Sequence, residues 1–437
     1  MNKKIFCSLL LAVCILFAGC ANSAGHDISS SNMSSSNISS SGIFDSDVAG
    51  SQEIDEPNLN GEDPSSSDTD ISATASSEVS QDANTALSQN SSKVSSNSQG
   101  GNNNTPTGNK PVSYDKSIFL GIDPMRQGVD IDEEEWESFR ELGIKRLRIN
   151  MQWINFGKSE TDPDYFLYDE TVQRAKKEGI EIMIVLAFEG IDSLKPTKDS
   201  QGRTVYPDPT AAMTNYARNV ITHFAPMGVS DYELWHAPNS NNYYVTPQDY
   251  AKMVTTVYEK CKYTEKWANG NKVNLCAFSL TASDYQNLDG LNESARSYIK
   301  AFYKTSYYKV FKAKYGHSPF DAVSVSPWDS IAVDKNGNIT KNNLKKCLQV
   351  NCIDVMKEYG DENIPIWITM LGEGNSNRAL NAKLVGYYIQ EAAKIEQLQY
   401  LYWYKMRYDG SNMSLVVAPW QKTEAYYAFK DAAAKLK

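Results

Sequence analysis

Between Ala21 and Val112 the chain has no Trp, Tyr or Arg, and Phe44 is the only aromatic residue. So little large apolar surface cannot offset the entropy lost on ordering, so this stretch is expected to form a solvated tether and not a domain. Histidine is scarce as well, with four in 437 residues. His223, His236 and His317 show no metal-ligand spacing, so no metal site is expected. The seven cysteines form no C-x-x-C pair. Cys347 and Cys352 lie five apart on a helical pattern, which suits neither a disulfide nor zinc, so buried free thiols are expected. No glycine-rich phosphate loop follows any strand-like run and no G-x-S-x-G elbow is present, so neither a nucleotide cofactor nor a serine nucleophile is expected. The net charge is -10, but it is unevenly spread. The tether alone carries -10 and the leader +2, which leaves about -2 for the remainder. With no basic stripe on that remainder, nucleic acid is not an expected partner.

What is present divides the chain into three parts. Residues 1–19 hold Lys3 and Lys4, the apolar stretch Ile5 to Phe17, then Ala18-Gly19, the order of a secretory signal. The run Leu16-Phe17-Ala18-Gly19-Cys20 resembles the lipobox of bacterial lipoproteins, in which the cysteine is acylated and becomes the first residue. That resemblance implies export, lipidation at Cys20 and anchoring to the outer face of a bacterial membrane, without spanning it. Residues 20–112, about a quarter Ser and acidic, would then be a spacer reaching roughly 50 Å on average. All 26 Tyr and all 8 Trp fall after it, so residues 113–437 must hold the folded domain.

In that domain, short β-branched runs alternate with helical patterns, the signature of βα units around a parallel sheet. Eight runs read as strands: Ser117 to Asp123, Ile144 to Asn150, Ile180 to Ala187, Asp231 to His236, Val273 to Leu280, Ala322 to Pro327, Pro365 to Met370 and Leu398 to Tyr404. The helix candidates between them are Asp132 to Leu142, Asp169 to Glu178, Thr210 to Phe224, Pro247 to Trp267, Glu293 to Tyr315, Leu344 to Tyr359 and Asn381 to Lys394. Thr423 to Lys437 closes the chain. Eight repeats predict a (β/α)8 barrel of the α/β class, with a doubly wound open sheet as the alternative. In a barrel the chemistry gathers at the C-terminal ends of the strands.

Those ends carry a pattern. The second strand ends Leu147-Arg148-Ile149-Asn150-Met151-Gln152-Trp153, and the fourth reads Tyr232-Glu233-Leu234-Trp235-His236-Ala237-Pro238-Asn239. The sixth runs to Val325-Ser326-Pro327-Trp328, the seventh is Pro365-Ile366-Trp367-Ile368-Thr369-Met370-Leu371-Gly372, and the eighth ends Tyr402-Trp403-Tyr404. Over residues 117–437 the set resembles the clan of retaining glycoside hydrolases with (β/α)8 barrels, especially families 39 and 5. In that clan the fourth strand typically ends Trp-Glu-x-Trp-Asn-Glu-Pro-Asn and the seventh Pro-x-x-x-Thr-Glu-x-Gly, the late Glu of each being acid/base and nucleophile. Here Ala237 stands at the acid/base position, Met370 at the nucleophile position, His236 at the asparagine position and Ser326 at the usual strand-six histidine. Retaining hydrolysis needs two carboxyl groups roughly 5 Å apart. Neither alanine nor methionine supplies one.

The resemblance therefore implies a barrel that binds a poly- or oligosaccharide in the old cleft without the clan's reaction. Candidate contacts are Arg148, Trp153, His236, Asn239, Trp328 and Trp403, with Asn150 and Arg407 available to sugar hydroxyls and aromatic rings to sugar faces. Glu233 matches the clan's structural Glu and is expected to hydrogen-bond within the core. Two alternatives stay open. An active hydrolase would need relocated carboxylates, and Asp123, Glu189, Asp284, Asp329, Asp409 and above all Glu373, between two glycines, are candidates, with an inverting course as one option. A non-catalytic surface scaffold would fill the cleft with its own side chains.

Overall fold

The computed structural model describes residues 113–124, 131–152, 165–188, 191, 193–282, 293–372, 375–407, 412–418 and 420–436. Eight parallel strands close into a barrel in chain order. They are Leu120–Asp123, Arg146–Gln152, Glu181–Ala187, Asp231–Leu234, Asn274–Ala282, Ala322–Pro327, Ile366–Leu371 and Leu398–Tyr404. The first strand pairs with the eighth, Leu120 opposite Leu401 through Asp123 opposite Tyr404, and this closure excludes the open sheet. Closure also demands a near approach at one point. A Cβ on Gly121 would lie 2.4 Å from the Tyr402 ring, so no larger residue fits there.

The helices follow local signals. Asp132 accepts a hydrogen bond from the Glu135 amide and caps Glu133–Leu142, which ends at Gly143 with φ of 69°. Thr246 caps Pro247–Glu259, whose first residue is a proline. Two expected helices differ in form. The span 293–315 is two helices, Ala295–Lys304 and Ser306–Tyr315, because Thr305 turns extended and its hydroxyl accepts from the Tyr308 amide, starting a second helix. The span 344–359 stays helical but widens into a π turn at Gln349–Ile353, which follows the buried Cys347 and contains the buried Cys352. Short hairpins not expected from the sequence occur at 197–205, 331–342 and 416–422. Cys261, Cys276, Cys347 and Cys352 are buried free thiols. Among the described residues no helix is long and apolar enough to cross a membrane.

Strand alternation sorts the side chains into two bodies. Outward-facing residues pack beneath the helices in one large core, whereas Met183, Cys276, Ala322, Trp367, Tyr400 and Tyr402 form a separate small cluster inside the barrel. On the second strand Arg146, Arg148 and Asn150 share the inward face.

Candidate functional site at the strand ends

Arg146, the first of these three, belongs to the inner cluster. Its guanidinium lies 3.7 Å from the centre of the Tyr400 ring, donates to the Tyr402 hydroxyl at 2.9 Å and pairs with Glu181 and Asp231. Asp231 also accepts from Asn274 at 2.6 Å, and burial raises its carboxyl above the ordinary range against the pull of Arg146.

One step towards the C-terminal ends, Arg148 is fully buried and joins two strands. It donates to Asp123 Oδ2 at 2.8 Å and to Glu233 Oε2 at 2.9 and 3.3 Å. Glu233 is therefore an internal hydrogen-bonding carboxylate, and Arg148 is committed to protein partners. The other oxygen, Glu233 Oε1, is buried and meets no hydrogen-bond partner. Asn150 Oδ1, His236 Nδ1 and Ser279 Oγ, from the second, fourth and fifth strand ends, share that condition. Buried polar atoms of native proteins are almost always satisfied, so these four, at three of the eight strands, are an unusual feature, with Thr214 Oγ1, Ser240 Oγ and Trp403 Nε1 sharing it elsewhere.

Beyond the fourth strand the backbone is bent sharply, with φ of 70° at Trp235 and 44° at Ala237. Such non-glycine conformations cost about 1–3 kcal/mol and persist only where packing enforces them. Trp235 stacks on Phe188 at 3.9 Å and donates from Nε1 to the Tyr243 carbonyl. Asn239 is fully buried, its amide exchanging hydrogen bonds with the Thr281 backbone at 2.9 and 3.0 Å and donating to the Glu293 carbonyl at 2.8 Å. Asn239 thus ties the loop to the fifth strand. Between these anchors His236 stays partly exposed, 5.5 Å from the Tyr243 ring. Burial of the ring and the neighbouring Arg148 charge lower its pKa to about 4, so the imidazole is neutral at pH 7, able to donate at one nitrogen and accept at the other.

Ala237 and Met370 are both buried. The seventh strand's register slips between Ile368 and Leu371, and both of these lie in the outer core. The slip leaves Thr369 and Met370 together on the inner side, and the Thr369 hydroxyl bonds Ser324 of the adjacent sixth strand. Ser326 is buried on the sixth strand. Trp328 is partly exposed and stands edge-on to Tyr404 at 6.3 Å. Trp403 occupies the opposite face of its strand, fully buried 6.4 Å from Tyr388 of a covering helix. Arg407 reaches away to Asp132 and Glu135 and lies over Trp420. Asp329 is exposed with φ of 52°. Trp153, Glu189, Asp284, Glu373, Asp409 and Cys20 lie outside the described residues.

The strand ends therefore bring together Asn150, Glu233, His236, Ala237, Ser279, Met370 and Trp328, and leave Asn239, Trp403 and Arg407 in supporting positions. Sequence reading overlooked Ser279 of this group and, near Asp123, Lys405. Ser279 sits in a bulge of the fifth strand, with φ of 46°, which no local pattern announces. Lys405 follows the eighth strand almost wholly buried; burial brings its pKa down to about 8 against the opposing pull of Asp123. Among the described residues no cluster of His, Cys, Asp and Glu is arranged to hold a metal.

No sequence-family model and no curated protein matches the chain. Solved structures do. A family 39 glycoside hydrolase from Bacteroides cellulosilyticus WH2 superposes with a TM-score of 0.52 at 17% identity, covering 75% of this chain and 66% of that one. A glucosidase from Croceicoccus marinus gives 0.52 at 12% identity, covering 75% and 69%. A family 5 broad-specificity endoglucanase from Clostridium longisporum gives 0.50 at 13%, covering 75% and all of that chain. The chain spans just under two thirds of the family 39 structure. The fold is thus the closed barrel of the glycoside hydrolases, and at these identities the likeness is one of fold.

Proposed function

We propose that the barrel is the glycan-binding domain of an exported, lipid-anchored bacterial surface protein, and that it no longer performs retaining hydrolysis. The observation that carries this reading is the set of unpartnered polar atoms, Asn150 Oδ1, Glu233 Oε1, His236 Nδ1 and Ser279 Oγ, at the strand ends where Ala237 and Met370 stand. Sugar hydroxyls both donate and accept, so they suit a rim of acceptors beside a neutral imidazole, and Trp328 offers a flat face to a ring. The chemistry of hydrolysis is less well served. Asp123 and Glu233, the carboxylates nearest these strand ends, are both committed to buried ion pairs with Arg148. The leader, Cys20 and the acidic tether support placement at the cell surface.

The test is a panel of plant, fungal and bacterial polysaccharides offered to the purified full chain at high protein concentration and long incubation, read for both affinity and reducing-end release. Retention on at least one glycan with no release is expected. Release that disappears in Glu373→Gln would replace this reading with an active hydrolase using a relocated carboxylate. Neither release nor binding on any glycan would leave the scaffold reading in its place.

A further inference from the structure

A second site lies outside the strand-end group. A cavity of about 300 Å³ opens where the loops after the seventh and eighth strands meet the helix Arg378–Ala393, and none of its lining residues belongs to the strand-end group. That volume is at the lower end of the range for small-ligand sites. Its lining is unusual in composition. Among the described residues its lining holds four side-chain amides, Asn375, Asn381, Asn412 and Gln421, one guanidinium, Arg378, and no carboxylate. The cavity has a fixed frame. Asn381, only 5% exposed, donates to the Asn412 carbonyl at 3.0 Å, and Ser414 donates to the Arg407 carbonyl at 2.8 Å. Arg378 is exposed at the first position of its helix and pairs with no acidic side chain among the described residues. The amides of the first turn are already engaged, since Ala379 and Leu380 donate to the Asn377 side chain, so the free charge is the guanidinium.

We infer that this cavity takes a single acidic sugar residue, a uronate, with its carboxylate on Arg378 and its ring hydroxyls on the amides of Asn375, Asn412 and Gln421. A guanidinium fork matches a carboxylate with two parallel hydrogen bonds. Side-chain amides present donor and acceptor together, as vicinal hydroxyls require. Among the described lining residues there is no aromatic ring, which disfavours a nucleobase, and no carboxylate, which disfavours a cation. The inference stands apart from glycan binding at the strand ends.

Saturation-transfer NMR and titration of the full chain with glucuronate, galacturonate, mannuronate, glucose and inorganic phosphate would test it. At least one uronate is expected to bind, glucose at least tenfold more weakly. Arg378→Gln should weaken the uronate at least tenfold with an unchanged circular dichroism spectrum, and His236→Gln should leave it unaltered. Binding of no uronate would overturn the inference, as would phosphate binding without uronate, equal affinity for glucose, or insensitivity to Arg378→Gln. Loss in His236→Gln alone would move the uronate to the strand ends, overturning this site while supporting the other.

Discussion

Two buried arginines, two residues apart on one strand, sit in the same barrel with different degrees of completion. Around Arg146 every principal partner is in place: a ring stacked against the guanidinium, a hydroxyl on Nε, carboxylates on both terminal nitrogens, and an amide on Asp231. Around Arg148 the ion pairs are equally buried, yet Glu233 Oε1 meets nothing and neighbouring Asn150, His236 and Ser279 each keep a polar atom unpartnered. An interior polar network stabilises only when it is satisfied throughout. The lower layer accordingly has the character of a fold-holding device. The upper one keeps buried polar atoms that its own side chains leave unsatisfied, which agrees with the division of labour between the two ends of such barrels.

The comparison breaks most visibly through Arg146→Met. Removing the guanidinium leaves Asp231 buried beside Glu181 without its counter-charge, and such losses cost about 3–5 kcal/mol. The midpoint of urea unfolding should fall accordingly, while glycan affinity measured on the folded fraction should not change. A variant whose stability is intact would remove the structural role assigned to the lower layer.

Glu233→Gln addresses the upper layer with a smaller expected effect on stability, about 1–2 kcal/mol, because the amide oxygen can still accept from Arg148. Its effect on binding should be larger than its effect on folding. The position of Oε1 becomes a weaker acceptor or a donor, and glycan affinity should drop about tenfold in pull-down or calorimetry. If affinity holds and stability alone declines, the two layers do not differ in function.

Much of this architecture was legible in the sequence because the strands are short, β-branched and separated by helices with clear caps. Ala322–Pro327 and Leu398–Tyr404 have the expected limits, and the other strands shift by a few residues at one or both ends. The site was legible to a lesser degree, for a physical reason. Trp403 and Met370 were placed by motif, but a side chain's face is set by strand alternation and by bulges. The bulge near Met370 turns that residue inward, whereas regular alternation turns Trp403 out under the helices. Alternation along Arg146, Arg148 and Asn150 would have shown that Arg148 points into the closed interior, where carboxylates, not a sugar, are its nearest partners. Asn239 reads as a sugar contact only while the loop's own backbone needs go uncounted.

The smallest effect expected is also specific to the upper layer, since it depends on pH. His236 has a folded-state pKa of about 4, and an unfolded histidine titrates near 6.5. As the pH falls below about 6.5 the unfolded chain takes up a proton that the folded chain refuses. Stability should therefore be fully present above that value, decline towards pH 4 and then level off. For a ring that is partly exposed, the decline between pH 6.5 and 5 should be about 1 kcal/mol. His236→Gln should flatten that part of the stability profile while leaving it unchanged above pH 7. A glycan that hydrogen-bonds the neutral imidazole would protect it from protonation, so bound ligand should deepen the wild-type decline by binding less tightly as the pH falls. If the decline is the same in His236→Gln, the imidazole is not held neutral by Arg148 and its surroundings, and the upper layer is more open to water than its orphaned atoms imply.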